Sequence, residues 1–283
     1  FFFKQKTAYE IPKRDWSSDV CSSDLGSCGV PWQLAARPAL TPLVQPLPLA
    51  KERKMGEKGS RMITVHHLEN SRSLRILWML EELELAYEIR PYKRLPTMQA
   101  PPELKAVHPL GKSPAIIDDG VTMAESGAII EYLVQKYGNG RFVPPLGSAE
   151  WRRYTYFMHY AEGSLMPVLL LKLLFSRIIP SRVPALLRPV GRLICDGADR
   201  NLISPQLATN FAFLESELAD RDWFAGSAFS AADVQMSYPL EAAATRAGLG
   251  DRFPKLHGFL DRIHARPAYK RAVERGGALA LLK

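Results

Sequence analysis

Two serines stand where helices are predicted to begin, and a hydroxyl in that position can stabilise an anion. Ser71, with Asn70 before it, precedes one apolar helical repeat, and Ser126, with Glu125 before it, precedes another. A hydrogen bond from a hydroxyl and the positive end of the helix dipole both favour the ionised form of a thiol or a carboxyl group. Serine at a helix start often serves only as an N-cap, so the residues alone leave capping and catalysis both open.

The other reactive side chains near Ser71 limit the chemistry of such a site. His66 and His67 are adjacent on a predicted strand, where successive side chains point to opposite faces, so at most one of them can face the site. Cys195 is the single cysteine between residues 62 and 283, which excludes an internal disulfide, a four-cysteine zinc site and a CxxC redox pair there. We expect Cys195 to be a small buried apolar side chain.

The patterns around these serines predict a strand–helix–strand unit followed by a hairpin and a further helix. The first helix repeats its apolar residues at helical spacing, and Asp119-Gly120 between two short apolar runs is a strong hairpin signal. The predicted elements are strands over 62–68, 87–92, 115–118 and 121–124, a helix from 71 that buries Ile76, Leu77, Leu80 and Leu83, a short helix from 101, and a helix from 126. Their order is βαβαββα.

Beyond a Gly- and Pro-rich linker at 138–148, the sequence predicts helices and no convincing strand. Ser204-Pro205 combines an N-cap with proline at the first helical position. Ser230–Asp233 has the spacing of a capping box, with aspartate in place of the usual glutamate. The predicted fold class is therefore an α/β part followed by an all-helical part.

Charge and composition set the first 61 residues apart from the rest. The 283 residues carry a net charge of +8, and residues 1–61 contribute +4 of it from 10 basic and 6 acidic side chains. Residues 1–25 resemble a translated sequencing adapter, and residues 26–61 hold five prolines, four of which would break the helix of a transit peptide. We interpret residues 1–61 as an artefactual or disordered leader, with Met55 and Met62 both open as true starts.

Several motifs in the remaining chain, in this order, resemble the glutathione transferase superfamily. Lys112-Ser113-Pro114 is similar to the family's cis-proline loop, Glu125-Ser126 to its step into the third helix, and Ser230–Asp233 to the capping box of its sixth helix. Residues 100–114 resemble a microbial subgroup, and the likeness spans about residues 62–283. It implies a thioredoxin-like glutathione-binding domain over 62–140 and an all-helical domain over 149–283 that contains the electrophile site.

The resemblance implies that Ser71 activates the thiol of glutathione. In serine-type members the matching hydroxyl donates to the thiolate, which is the nucleophile, and Asn70 is the second candidate donor. Cysteine-type reduction is disfavoured because no cysteine lies between Met62 and Ile194. Tyrosine-type activation is disfavoured because no tyrosine lies between residues 65 and 72.

The resemblance also implies which residues bind the tripeptide. The helix start at Ser126 would take the γ-glutamyl carboxylate, and Glu125 would orient the site or meet the ammonium group. The main chain of Ser113, before a cis Pro114, would pair with the cysteinyl backbone, and Lys112 would balance the glycyl carboxylate. A plain helix cap and a solvated loop lysine are the alternatives for Ser126 and Lys112.

The predicted function is a cytoplasmic, homodimeric glutathione transferase for detoxification. Glutathione would be its co-substrate, with conjugation to small apolar electrophiles and a possible peroxidase activity. The electrophile site is assigned to Tyr154, Phe157 and Met158, with Met166 nearby, although such a stripe is more often core. The alternative is a non-catalytic transferase-like scaffold or regulatory module.

Three other kinds of partner are not expected. The apolar run over 165–175 contains Pro167 and Lys172 and is shorter than the roughly 18 residues of a membrane span. Four arginines between 177 and 192 occur without a nucleic-acid-binding motif. No metal is expected at the site.

Overall fold

The structure, a computed structural model, describes residues 62–97 and 99–279, so the leader predicted over 1–61 lies outside the described residues. The first part of the described chain consists of β1 (Ile63–Leu68), α1 (Ser73–Glu82), β2 (Tyr87–Tyr92), α2 (Leu104–Val107), β3 (Ala115–Asp118), β4 (Val121–Ala124) and α3 (Ser126–Tyr137). This order confirms the predicted βαβαββα succession.

The four strands form one mixed sheet in the order β2–β1–β3–β4. β1 pairs in parallel with β2 through the crossover helix α1, whereas the β1–β3 and β3–β4 pairs are antiparallel. Asp119 and Gly120 connect β3 to β4 with φ angles of +49° and +82°, as a type I′ turn requires. The predicted hairpin is confirmed.

Helix α1 is buried over most of its length. The sequence pattern predicted one buried stripe along α1, but every residue from 73 to 80 is buried. The extra burial arises because α9 and α11 pack against α1 in addition to the sheet. An ion pair at the end of α1 strengthens this contact, since the Arg266 guanidinium donates to both Glu82 carboxylate oxygens at 2.6 and 2.8 Å.

The second part is helical. Its helices are α4 (Ala149–Tyr160), α5 (Met166–Leu173), α6 (Ile179–Arg182), α7 (Arg188–Ala198), α8 (Ser204–Glu217), α9 (Ala231–Arg246), α10 (Pro254–Ala265) and α11 (Pro267–Gly276). Among the described residues beyond β4 there is no strand, which confirms the predicted fold class. Cys195 on α7 is 3% exposed, as predicted for a small buried side chain.

The predicted capping box at the start of α9 is also confirmed. The Asp233 carboxylate accepts from the main-chain N–H of Ser230 at 2.8 Å and from the Ser230 hydroxyl at 3.0 Å. Its other oxygen accepts from the main-chain N–H of Phe224 at 2.8 Å. The buried Asp233 therefore fixes both the start of α9 and the loop that precedes it.

One described helical stretch is long and apolar enough to cross a membrane when judged by length and composition alone. It runs over Ala149–Arg182, and 22% of its most apolar window is buried. Pro167 in the apolar run predicts a break, but the helix continues because Pro167 lies in the first turn of α5, directly after a π-helical turn at 161–165. Phe157 and Leu165 of this stretch lie in the hydrophobic core.

Candidate active site

The loop between β1 and α1 brings the predicted thiol-activating residues to a helix start. Asn70 has a φ of +51°, a left-handed conformation that asparagine adopts more readily than most residues. Ser71 is 5% exposed, and its Oγ lies 2.7 Å from the Ser73 Oγ and accepts from the Ser73 main-chain N–H at 3.2 Å. Helix α1 begins at Ser73, two residues after the predicted start.

A buried chain of hydrogen bonds decides where the Ser71 hydroxyl proton points. His67 Nε2 lies 2.8 Å from the Gly276 carbonyl oxygen, which can only accept, so Nε2 carries the hydrogen. Burial lowers the pKa of His67, so the ring is neutral and its Nδ1 is an acceptor. Ser73 Oγ lies 2.8 Å from Nδ1 and 3.2 Å from the Leu68 carbonyl oxygen, and either contact uses its single hydrogen. Ser71 therefore donates to Ser73.

The predicted cis-proline loop is held against the end of β1. The Ser113–Pro114 peptide bond is cis. The Ser113 hydroxyl donates to the His66 carbonyl oxygen at 2.9 Å and accepts from the Leu68 main-chain N–H at 3.2 Å. Both bonds use the side chain of Ser113. The loop is therefore held against the end of β1 although the main chain of Ser113 takes no part in the β1–β3 ladder.

The turn from β4 into α3 presents a helix N terminus to the same cleft as the cis-proline loop. Glu125 has a φ of +70°, which is strained for a residue with a side chain and is found most often at functional sites. Ser126 opens α3 and is 4% exposed. The first N–H groups of a helix have no partner within the helix and are suited to bind an anion.

These segments meet in one cleft. Its lining includes five predicted binding residues together with residues that were not predicted: Arg72, His108, Leu110, Lys112, Ser113, Pro114, Ala124, Glu125, Ser126 and Glu162. Arg72 is the residue of the Ser71 loop that lines this cleft, whereas Ser71 is buried and hydrogen-bonded to Ser73.

Sequence reasoning missed a cluster of three charges at the edge of the cleft. Glu162 Oε1 lies 2.5 Å from Nη2 of Arg75 and 3.1 Å from Nε of Arg72. Arg75 is 1% exposed and also donates to the Gln235 carbonyl oxygen at 2.6 Å. Burial is the main influence on Arg75 and lowers its pKa, while Glu162 opposes the shift. No sequence signal links Glu162 to α1, since 87 residues separate it from Arg75.

A second, largely apolar cavity of about 350 Å³ adjoins the cleft, because Arg72 lines both. Its apolar wall comes mainly from α5, the following π-helical turn and α9. The lining residues are Asn70, Arg72, Arg94, Met166, Leu169, Leu170, Leu173, Ile178, Tyr238, Ala242 and Arg246.

The residues that the sequence assigned to the electrophile site lie in the core and do not line this cavity. Tyr154, Phe157 and Met158 are 6%, 1% and 3% exposed and belong to the hydrophobic core. The ring of Phe157 lies against those of Phe213 and Phe224. Met166 does line the cavity, one helical segment further along the chain.

Comparison with known proteins identifies the family. Residues 60–135 match the model of the glutathione S-transferase N-terminal domain, and residues 200–267 match that of the C-terminal domain. Glutathione S-transferase 3 of Schizosaccharomyces pombe is 38% identical over 214 residues, which cover 76% of this chain and 88% of the relative. The chain belongs to the glutathione S-transferase family.

Two further comparisons agree with this assignment. Glutathione S-transferase 1 of Saccharomyces cerevisiae is 33% identical over 226 residues, covering 77% of this chain and 97% of the relative. The crystal structure of a glutathione S-transferase from Actinobacillus pleuropneumoniae is similar, with a TM-score of 0.63 and 30% identity over 77% of this chain and 95% of that one. The first part of this glutathione S-transferase therefore has the family's thioredoxin-like fold.

The family matches leave a gap that contains five of the eleven residues that line the second cavity. Residues 136–199 fall between the two matched domains, and this range includes Met166 and Ile178. The α5 side of the cavity thus lies outside the two matched domains, whereas its three arginines, Tyr238 and Ala242 lie within them. Within the described ranges, no group of three or more His, Cys, Asp or Glu side chains is arranged to hold a metal.

Proposed function

We propose that this protein is a glutathione transferase that ionises the glutathione thiol and directs it at small apolar electrophiles. The observation that carries this proposal is the convergence of residues 112–114 and 125–126 on one cleft beside the start of α1, with an apolar cavity adjoining it. A thiolate at the boundary meets an electrophile held in the cavity. The sulfur then bonds to the electrophilic carbon and displaces a leaving group, which departs with its bonding electrons.

Glutathione is anchored by its charged ends and its backbone. The first N–H groups of α3 and the Ser126 hydroxyl bind the γ-glutamyl carboxylate, and the Glu125 carboxylate receives the ammonium group. The Ser113 main chain pairs with the cysteinyl residue as an added strand would. Lys112, which is exposed at the cleft, balances the glycyl carboxylate.

Thiol activation is assigned to Ser71, as in serine-type relatives. The Ser71 hydroxyl turns from Ser73 towards the sulfur, while Ser73 keeps its hydrogen bond to His67. This exchange replaces a bond between two neutral hydroxyl groups with a charge-assisted one, which is about twice as strong. The dipole of α1 adds to the stabilisation of the thiolate.

The test is the pKa of the bound glutathione thiol, read from thiolate absorbance across a pH series with the full chain. A hydrogen bond to a charged group contributes about 1.5–3 kcal/mol, so Ser71→Ala should raise that pKa by about 1–2 units. Ser73→Ala is the matched control, because it removes the competing acceptor and leaves the Ser71 donor. An unchanged pKa in Ser71→Ala, with a raised one in Asn70→Ala, would transfer the role to Asn70.

Turnover separates the enzyme from the non-catalytic alternative. The full chain should conjugate glutathione to members of a broad electrophile panel, with hydroperoxides included. Tight glutathione binding without turnover on the whole panel would instead identify a scaffold or regulatory module. The homodimer and the cytoplasmic location implied by the family resemblance stay predictions, which sedimentation and cell fractionation test.

A further inference from the structure

The second cavity combines an apolar wall with three guanidinium groups. Arg72, Arg94 and Arg246 all line it, and its described lining contains no aspartate or glutamate. An apolar pocket lowers the effective dielectric, so each of these positive charges acts more strongly on a ligand than it would in water.

The charge at Arg246 is the least compensated of the three. Arg72 has Glu162 at 3.1 Å, and Arg94 donates through Nη2 to the Asn70 carbonyl oxygen at 3.0 Å. Arg246 Nε is buried with no hydrogen-bond acceptor among the described residues. A buried N–H donor that has no acceptor is costly unless an anion or another acceptor meets it.

Arg94 and Arg246 both line the cavity, and their like charges oppose each other. Burial is the main cause that lowers the pKa of Arg246, Tyr238 opposes the shift, and the charge of Arg94 adds to it. Two like charges held beside an apolar wall repel each other, and a bound anion relieves that repulsion. Guanidinium groups bind a carboxylate or sulfonate through paired N–H donors.

We propose that the electrophile held in this cavity has an apolar body and a carboxylate or sulfonate group, which Arg246 and Arg94 bind. The inference rests on the proposed function, since it names the substrate class of that same site. The apolar body lies against Leu169, Leu173 and Ile178, and the reactive carbon lies on the side of Arg72, where the cavity meets the glutathione cleft.

A binding experiment tests the anion site without any chemistry. The probes are 8-anilinonaphthalene-1-sulfonate and its uncharged counterpart N-phenyl-1-naphthylamine, titrated by fluorescence against the full chain. Arg246→Gln should weaken sulfonate binding about tenfold and leave the neutral probe within about twofold, since a charge-assisted contact is lost and the apolar wall is intact. Arg246→Lys should recover part of the loss. Arg192→Gln, an exposed arginine of α7, is the control and should change neither.

A kinetic experiment then tests the substrate class. The matched electrophiles are 4-chloro-3,5-dinitrobenzoate and its methyl ester, from which the thiolate displaces chloride. Arg246→Gln should lower kcat/KM for the acid about tenfold, with less than about twofold change for the ester and for the KM of glutathione. Equal effects on acid and ester, or no effect on either probe, would overturn the inference.

Two outcomes distinguish a failure of the anion-site inference from a failure of the proposed transferase activity. A tenfold rise in the KM of glutathione in Arg246→Gln would show that the arginines hold a carboxylate of glutathione, which would also overturn the inference. Failure to conjugate either electrophile, with selective sulfonate binding intact, would instead refute the proposed transferase activity and leave the anion site standing.

Discussion

Gly276, the last residue of α11, lies so close to α1 that a single methyl group should disturb the packing between them. A Cβ added at Gly276 would lie 2.4 Å from Leu77 Cδ1 and 3.2 Å from His67 Cε1. Leu77 is fully buried, and the Gly276 carbonyl oxygen accepts the hydrogen bond from His67 that begins the chain to Ser73 and Ser71. The change Gly276→Ala therefore acts on both the domain contact and the site.

The expected magnitude follows from two opposing effects. Replacing glycine by alanine in a helix gains up to about 1 kcal/mol, and less in a final turn. Real Cβ contacts essentially never come below 3.0 Å, so Leu77 or the backbone of α11 must shift, and overpacking of this kind costs about 1–3 kcal/mol. The overpacking dominates, and Gly276→Ala should destabilise the protein by about 1–2 kcal/mol.

The assay is urea denaturation of the full chain, followed by tryptophan fluorescence, beside a matched variant. Gly197→Ala is also a helical glycine replacement, but an added Cβ there meets no atom within 4 Å, so it should be neutral or stabilising by up to about 1 kcal/mol. In a double-mutant cycle, Leu77→Ala should cancel most of the Gly276→Ala penalty, because it removes the clashing methyl group. Equal stabilities for Gly276→Ala and Gly197→Ala, or additive effects in the cycle, would refute the reasoning.

Two more predictions concern buried charges. Burial raises the pKa of Asp233 to about 6, so between about pH 4 and pH 6 the folded protein holds a proton that the unfolded chain releases. The free energy of unfolding, measured relative to Asp233→Asn by urea denaturation, should therefore rise by about 1 kcal/mol from pH 7 to pH 5, and a fall would contradict the prediction. Glu162→Gln leaves the buried Arg75 without its counter-charge and should lower the free energy of unfolding by about 1–3 kcal/mol in the same assay. An unchanged stability would mean that the hydrogen bond to the Gln235 carbonyl oxygen is sufficient for Arg75.

Local patterns were sufficient for most of the fold. The Asp119-Gly120 turn, the strand alternation and the capping box at Ser230 each act through neighbours in sequence, so their residue types predict their geometry. The glutathione-binding role of residues 112–114 and 125–126 came from the family resemblance, since their local patterns alone also fit a loop and a plain helix cap.

Other features of the site depend on contacts between distant parts of the chain. The helical periodicity of α4 gave a stripe with Tyr154 and Phe157, but periodicity cannot tell whether a stripe faces a cavity or another helix. Here the Phe157 ring packs against Phe213 and Phe224, and the cavity forms one segment later, around Met166. Glu162 was missed for the same reason, since its partner Arg75 lies on α1.

The sequence by itself determined the order of the elements, the turn and cap chemistry, and the glutathione transferase resemblance, because these depend on residues within a few positions of each other. Only the tertiary structure decided which side chains share a space. It brought Arg72 and Glu162 to the cleft, set the Ser71 proton towards Ser73 through a histidine bonded to Gly276, and placed Arg94 and Arg246 on the wall of an apolar cavity. These arrangements follow from burial and charge balance among residues that are far apart in the chain.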